Sequence, residues 1–286
     1  INDSTPNTYF KLDENWHTNI VGDIALPTTN RIYFGNSDTA FIKGEHGGSA
    51  YLAFGANNEK MRLTRSGYLG IGTDNPSRRL DLHESSSSGN FISITNDTTG
   101  HGAGDGAIIG LQDDESLIFS NKENNHIEFH TNNQERVRIT SAGKVLIGSN
   151  TLRKIGGAGS NGQVQIEGTS STLNSSLSIV NNQDSNGSPN IRLGKTRGTS
   201  VGSNTSVADG DNLGQIIFYG ADGTDIYNAT ALIGAKVNGT VGTDTIPTDL
   251  VFETSATTGS GRAERLRILS SGGLTFNGDT ATANAL

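Results

Sequence analysis

The sequence predicts an all-β protein: an elongated, turn-rich and repetitive β-structure of the β-helix or β-prism kind, assembled as an intertwined homotrimer. Three observations lead to this prediction. Hydrophobic residues make up only 32% of the 286 residues and 38 residues are glycine, which excludes a single thick core. The apolar residues alternate with polar ones in short runs, and no sustained helical stripe occurs. Finally, one short block of sequence recurs three times.

The recurring block consists of a strand, a turn that contains glycine, and a second short strand. Its copies begin at residues 59–63, 135–139 and 264–268. A matching strand precedes each copy, at residues 52–54, 127–129 and 250–252. The structural turns are marked by Gly67, Gly143 and Gly272. Because glycine adopts a positive φ with little steric cost, we expect at least two of the three to have one.

The apolar and basic side chains of each block are expected on opposite faces, because side chains alternate along a strand. Met61 and Leu63 would then share one face. Two apolar residues per face are too few to stabilise a strand alone, so we expect three chains to bury these stripes against one another around a common axis. The basic face would lie in water, and it includes the repeated residues Arg62, Arg138 and Arg267.

A longer alignment divides the chain into three repeat units. Residues 1–72 form a partial N-terminal unit, residues 73–148 a second unit, and residues 149–286 a third unit with an insertion at about 194–248. The pairs Leu80/Leu82 and Ile92/Ile94 open the second unit as strands, and Val164/Ile166 and Leu177/Ile179 open the third in the same way. The least patterned part, residues 185–214, is expected to be a long loop or a series of irregular rungs.

Charge and composition exclude several classes of partner. The net charge of −8 is spread without a basic stripe, so the sequence predicts no nucleic-acid partner. No apolar run approaches the roughly 20 residues of a membrane span, so no membrane insertion is expected. The chain has no cysteine, which excludes a disulfide framework and a thiolate metal site. It begins at Ile1 without methionine, and we expect it to be a fragment or a processed product.

Several motifs resemble those of a known family. The run RSGYLGIGTDNPS at 65–77, after the block at 59–63, resembles the repeat of bacteriophage and other viral tail fibre proteins. The runs LGKTRGTSVG at 193–202 and DNLGQI at 211–216 are similar to a module of marine phage fibres, and LTFNGDTATANAL at 274–286 is similar to the run that closes such modules. The resemblance covers most of residues 50–286. It implies a homotrimer on the virion, within the tail fibre, in contact with other virion tail proteins.

The sequence therefore favours a non-enzymatic structural segment of a viral tail fibre that contributes to host-cell attachment through a surface glycan or protein receptor. Two alternatives remain open at this stage: a tailspike that degrades capsular polysaccharide, and a bacterial surface adhesin. A tailspike needs two carboxyl groups roughly 5–10 Å apart in a cleft. Residues 113–115 and the pair Asp222 and Asp225 offer carboxylates, although aspartate is also common in turns for conformational reasons.

One constellation has metal-ligand chemistry. His126, Glu128 and His130 share a face if they lie on a strand, and three chains could then surround one ion with these groups. Ile127 and Phe129, however, align with the apolar pairs of the other copies and take the core face. The His side then points outward as a solvated polar face. We therefore predict neither a metal nor another cofactor.

Receptor contact is expected from aromatic residues outside the repeating pattern. An exposed aromatic ring is an apolar platform for a sugar, with polar groups around it fixing orientation. The candidates are Trp16, which lies beside Asn15 and His17, and the two tyrosines Tyr219 and Tyr227 of the insertion. A repetitive scaffold does not need its insertions, so binding is often located there. The sequence thus predicts receptor binding, if any, within residues 194–248.

Overall fold

The computed structural model describes residues 31–33, 40–45, 50–157, 162–169, 175–256 and 261–280. Every regular element in these ranges is a β-strand, and the ranges contain no α-helix, so the all-β prediction is confirmed. Within the described residues no helix is long and apolar enough to cross a membrane. The chain divides into two compact units, Ile1–Glu123 and Asn124–Leu286.

The first unit contains two sheets whose strands follow the order of the chain. The six-stranded sheet consists of β1 (Arg31–Tyr33), β2 (Ala40–Glu45), β3 (Tyr51–Ala56), β4 (Asn58–Thr64), β5 (Leu69–Ile71) and β6 (Leu80–Leu82). The three-stranded sheet consists of β7 (Asn90–Ile94), β8 (Ala107–Leu111) and β9 (Leu117–Asn121). All neighbours pair antiparallel except β5 and β6, which are parallel.

The second unit also contains two sheets. The four-stranded sheet consists of β10 (Ile127–Thr131), β11 (Gln134–Ile139), β12 (Val145–Ile147) and β13 (Val164–Ile166), and its last pair is parallel. The five-stranded sheet consists of β14 (Asn212–Gly220), β15 (Asn228–Val237), β16 (Thr248–Ser255), β17 (Arg262–Ile268) and β18 (Leu274–Phe276). Its two longest strands, β14 and β15, come from the part of the sequence predicted to be an insertion, and β15 pairs directly with β16.

Three meanders of three strands correspond to the repeated block: β3–β5, β10–β12 and β16–β18. In each of them, two rows of directly paired apolar residues cross the sheet on one face. We call these rows the apolar stripe. Its members are Leu52, Leu63, Leu69, Phe54, Met61 and Ile71 in the first copy, Ile127, Ile139, Val145, Phe129, Val137 and Ile147 in the second, and Leu250, Ile268, Leu274, Phe252, Leu266 and Phe276 in the third.

A β-bulge interrupts the same position of every copy. Lys60, Arg136 and Arg265 have no opposite residue on the preceding strand, where the register shifts. Their carbonyls instead accept hydrogen bonds from the amides of Gly72, Gly148 and Asn277, at 2.9, 3.1 and 3.3 Å. Because one extra residue lies between them, the glutamate and the arginine of each block fall on the same face, opposite the apolar stripe.

The repeated arginines lie in ion pairs within the chain, half-buried at Arg62 and Arg138, and the expectation of a water-facing side chain is wrong for Arg267. Arg62 donates from Nε and Nη2 to both carboxylate oxygens of Glu59, at 2.5 and 2.8 Å. Arg138 binds Glu135 in the same bidentate way, at 2.7 and 2.6 Å, and Arg267 binds Glu264 at 2.9 and 2.5 Å. The hydrogen bonds to the neighbouring glutamate raise the pKa of each guanidinium, and all three remain charged.

The third arginine is the most deeply buried. The Arg267 side chain is 6% exposed, and its Nη1 also donates to Asp249, which is fully buried, at 2.7 Å. Asp249 accepts further hydrogen bonds from the Asn238 amide at 2.7 Å and from the backbone N–H of Ser270 at 2.8 Å. The face that sequence alternation assigned to solvent is thus the closed face of this sheet.

Side chains of the apolar stripe, unlike Arg267, are exposed to solvent in part within a single chain. Leu63 is 43% exposed, Phe129 54% and Phe276 48%. Of the few apolar residues that the described structure does bury, Ala53, Leu146 and Val251 pair directly with the block arginines and so lie on the closed face. The larger side chains of the stripe are therefore partly in contact with solvent in a single chain.

All three turn glycines have positive φ: 77° at Gly67, 74° at Gly143 and 97° at Gly272. In each turn the glycine N–H donates to the residue three positions earlier, at 2.9, 2.8 and 2.8 Å. A Cβ at Gly67 would meet nothing within 4 Å, whereas a Cβ at Gly72, which has φ of 78°, would collide with the backbone oxygen of His83. The glycine after the second strand is therefore under a tighter constraint than the turn glycine.

This contrast gives a testable prediction. Gly67→Ala is expected to lower the free energy of unfolding by about 1 kcal/mol, the cost of a positive φ for a residue with a Cβ. Gly72→Ala is expected to cost clearly more, since the new methyl group also displaces the backbone of His83, the residue after β6. Urea denaturation of both variants measures the difference. Equal midpoints for the two variants would contradict the collision at His83.

Two further sequence expectations can be compared with the strands. A parallel strand pair crosses each proposed unit boundary, β5 with β6 across Gly72 and β12 with β13 across Gly148. The repeat units therefore remain a description of the sequence. The expectation of a strand at Leu177 and Ile179 is wrong, because the described residues from 175 to 211 contain no strand. That irregular segment includes the stretch predicted to be least patterned as far as residue 211, and residues 212–214 already belong to β14.

Candidate functional site

The aromatic residues proposed for receptor contact have different surroundings. Trp16 lies outside the described residues. Tyr219 is on β14, and its ring lies against Gly156, where an added Cβ would come within 2.7 Å of the tyrosine hydroxyl. Gly156 has φ of 90° and donates its N–H to the carbonyl of Ile226 at 3.2 Å. Tyr219 is thus a packing residue that holds a neighbouring loop.

Tyr227 instead borders an open pocket. It lies just before β15, is 39% exposed, and lines a cavity of about 540 Å³ together with Asn228, Glu253, Ser255 and Arg262. Arg262 Nε donates to Glu253 Oε2 at 3.0 Å inside this cavity. Its volume is within the range of ligand-binding pockets. One aromatic ring therefore stands beside a carboxylate, a guanidinium, an amide and a hydroxyl.

A short aspartate-rich turn holds this edge of the pocket in place. Asp225 Oδ1 accepts the backbone N–H of Tyr227 at 2.9 Å. Asp222 Oδ2 accepts the Asn228 amide at 2.9 Å, and its Oδ1 accepts the N–H of Thr224 at 2.9 Å. Backbone hydrogen bonds, led by that of Thr224, lower the pKa of Asp222. Asp222 and Asp225, the pair that could have served glycoside hydrolysis, thus stabilise a turn.

The other acidic candidates have a similar conformational role. Asp114 Oδ1 accepts the N–H of Ser116 at 3.0 Å, and the side-chain and backbone hydrogen bonds from Ser116 lower the pKa of Asp114. Glu115 has a φ of 68°, in the left-handed region of a tight turn. The N–H of Glu115 donates to the carbonyl of Gln112 at 3.1 Å. These groups close the β8–β9 hairpin.

The strand register shows which face carries the pocket. Glu253 pairs with Glu264, and Ser255 pairs with Arg262. These residues share the face of Arg267, while Phe252 and Leu266 between them belong to the apolar stripe. Three of the residues that line the pocket, Glu253, Ser255 and Arg262, therefore lie on the side of the sheet opposite the stripe.

The metal candidates form a hydrogen-bonded cluster within one chain. The Nε2 atoms of His126 and His130 lie 2.7 and 2.8 Å from the two carboxylate oxygens of Glu128. Glu135 and Arg138 of the repeated block complete the cluster, a contact that their distance in sequence did not predict: ligand atoms of Glu128, His130 and Glu135 lie within 4.8 Å of one another. Arg138 Nη2 lies 2.6 Å from one oxygen of each carboxylate, so a single guanidinium bridges Glu128 and Glu135.

The electrostatics of the cluster agree with this arrangement. The hydrogen bond from His130 lowers the pKa of Glu128, and the hydrogen bond from Arg138 lowers the pKa of Glu135. In the repeat, His130 occupies the position of Gly55 in the first copy and of Glu253 in the third, since each pairs with the glutamate of its block. The histidine cluster and the Tyr227 pocket thus occupy equivalent places on two sheets.

Comparison with known proteins finds solved structures that are similar to this chain but no protein that is similar in sequence. The sequence matches no known protein family and no curated protein. The structure is similar to the carboxy-terminal domain of the bacteriophage T5 L-shaped tail fibre, with 13% identity and a TM-score of 0.45 over 68% of this chain and 80% of that one. It is also similar to that domain with its intra-molecular chaperone domain, with 15% identity and a TM-score of 0.45 over 68% of this chain and 55% of the other.

Proposed function

We propose that this chain is a structural segment of a viral tail fibre, located on the virion and contributing to host-cell attachment. In this proposal it assembles as a homotrimer, joins other virion tail proteins, and contacts a surface glycan or protein receptor of the host. Its role is non-enzymatic. The fibre resemblance of residues 59–77, 193–216 and 274–286 supplies the biological setting.

The apolar stripe is the observation that carries the proposal. It recurs in three sheets along the chain, always as two rows of paired apolar residues, and each copy leaves at least one large side chain exposed and others half-buried in a single chain. The opposite face carries the glutamate–arginine pairs. Every copy of the chain presents the same stripe, so identical chains around a common axis can cover it along its length.

The arrangement of carboxylates supports a non-enzymatic role. Asp114, Asp222 and Asp225 each accept backbone N–H groups in turns. Glu59, Glu135 and Glu264 each bind the arginine of their own block. Glycoside hydrolysis needs one carboxylic acid and one carboxylate on either side of a substrate bond. The carboxylates named above are instead bonded to backbone N–H groups or to arginines, which is a structural role.

Labelling of virus particles tests the proposed location. Antibodies raised against the purified chain, detected with gold by electron microscopy, are expected to decorate fibres that project from the tail. Particles whose tails have been removed serve as the control and are expected to lose the label. Label confined to the capsid shell, or restricted to material outside the particles, would contradict the proposal.

A further inference from the structure

We propose that the pocket beside Tyr227 is a binding site for a neutral carbohydrate. This inference rests on the proposed attachment function and deepens it, because it specifies the chemical class of the receptor group. The pocket lies at the edge of β15 and β16, where the part of the sequence called an insertion joins the repeated sheet.

The aromatic ring supplies the apolar surface. Tyr227 is partly exposed and lines the cavity, whereas Tyr219 packs on Gly156. A sugar ring has one face rich in C–H groups, and that face packs on an aromatic ring without losing the hydration of its hydroxyl groups. The position of Tyr227 is fixed by hydrogen bonds, since its backbone N–H donates to Asp225 and the side-chain amide of the next residue, Asn228, donates to Asp222.

The polar groups of the pocket match a polyhydroxylated ligand. Glu253 and Arg262 lie 3.0 Å apart, so an acceptor and a donor of hydrogen bonds stand side by side. Two adjacent hydroxyl groups can donate to the one and accept from the other, and Asn228 and Ser255 offer both functions as well. Because the two charges neutralise each other, the pocket favours an uncharged ligand over a phosphate or a carboxylate. The chain's net charge of −8 acts in the same direction.

The pocket is also placed where a receptor can reach it. Glu253 and Ser255 lie on the face opposite Phe252, so trimer formation through the apolar stripe leaves them accessible. A second groove of the same unit, about 630 Å³ and lined by Lys195, Asn204 and Asp244, includes no aromatic ring. That groove supplies a matched control for the experiment.

Glycan-array binding of the full-length chain tests the inference. The probes are neutral oligosaccharides of hexoses and deoxyhexoses, beside a matched set that carries sialic or uronic acids. Wild type is expected to bind members of the neutral set. Tyr227→Ala and Glu253→Gln are expected to weaken that binding about tenfold or more, whereas Tyr227→Phe keeps the ring and stays within about threefold of wild type. Lys195→Ala, in the second groove, is expected to bind like wild type.

Each outcome bears on the inference. Light scattering and thermal unfolding are run on every variant, so that a loss of binding is counted only where assembly is intact. Absence of wild-type binding to any neutral glycan, equal binding by Tyr227→Ala, or a preference for the acidic set would overturn the inference. Particle labelling decides the fibre role separately: labelled tails with a silent array would reject the carbohydrate site and leave the fibre proposal standing.

Discussion

Replacing Arg267 with alanine is expected to lower the free energy of unfolding of the chain by about 3–5 kcal/mol. The side chain is the only cation bonded to both Asp249 and Glu264 among the described residues, and Asp249 is fully buried. Removing the guanidinium leaves a buried carboxylate with only neutral donors, from Asn238 and Ser270. Urea denaturation followed by circular dichroism measures the change.

The chain provides its own control two residues earlier. Arg265 occupies the bulge, and its Nε donates to the Thr254 hydroxyl at an exposed position, at 3.1 Å. Arg265→Ala is therefore expected to change the free energy of unfolding by no more than about 0.5 kcal/mol. Arg62→Ala is expected to fall between the two, because that ion pair is partly exposed. An Arg267→Ala variant as stable as Arg265→Ala would show that the buried network contributes nothing.

Replacing Val137 with aspartate is expected to abolish the trimer. Val137 belongs to the apolar stripe and pairs with Phe129 and Ile147. In the proposed assembly it is buried against the other chains, so a carboxylate there would be desolvated without a partner. Light scattering is expected to give three times the 30.0 kDa of one chain for the wild type and the mass of one chain for the variant.

Arg136, the neighbouring residue, provides the control for the Val137→Asp substitution. Arg136 is the bulge residue of the same strand, is exposed, and lies outside the apolar stripe, so Arg136→Asp is expected to remain a trimer. The two substitutions introduce the same group one residue apart. A wild-type mass equal to one chain would reject the trimer, and a trimeric Val137→Asp would show that the stripe is not the interface.

Much of the local structure could be predicted from the repeats. The short strands at Leu52, Ile127 and Leu250 and the blocks after them pair as antiparallel meanders, as the repeated alternation indicates. The positive φ at Gly67 and Gly143 follows from spacing, because a tight turn between two short strands requires a residue without a Cβ at that position.

The face of the arginines could not be predicted in the same way. Strict alternation would place the side chains of Glu59 and Arg62 on opposite faces of the strand, since they are three residues apart. The bulge at Lys60 adds one residue to the strand and brings the two side chains to one face. Five alternating residues do not reveal a bulge. The repeated spacing of a glutamate and an arginine in all three copies was nevertheless a sign that the two side chains interact. Bidentate pairing explains that spacing directly.

Long-range pairing limited the prediction of the site. Tyr219 and Tyr227 look equivalent in sequence, and only the packing of Gly156 distinguishes them. Glu253 and Arg262 are separated by a turn, and their contact depends on the shifted register between β16 and β17. Leu177 and Ile179 show the opposite error: an alternating apolar pair suggested a strand, but the described residues from 175 to 211 contain none.

The equivalence of Gly55, His130 and Glu253 has an evolutionary consequence. In the first copy the place is closed, because Phe41 of β2 lies over Gly55. In the second copy it carries a histidine bonded to a carboxylate, and in the third it forms a wall of a cavity. Since the bulge and the glutamate–arginine pair are the same in all three, duplicated copies can diverge at this one position while the backbone and the opposite face stay intact. In the second and third copies, the residue at this one position therefore sets the surface chemistry of the sheet while its fold stays the same.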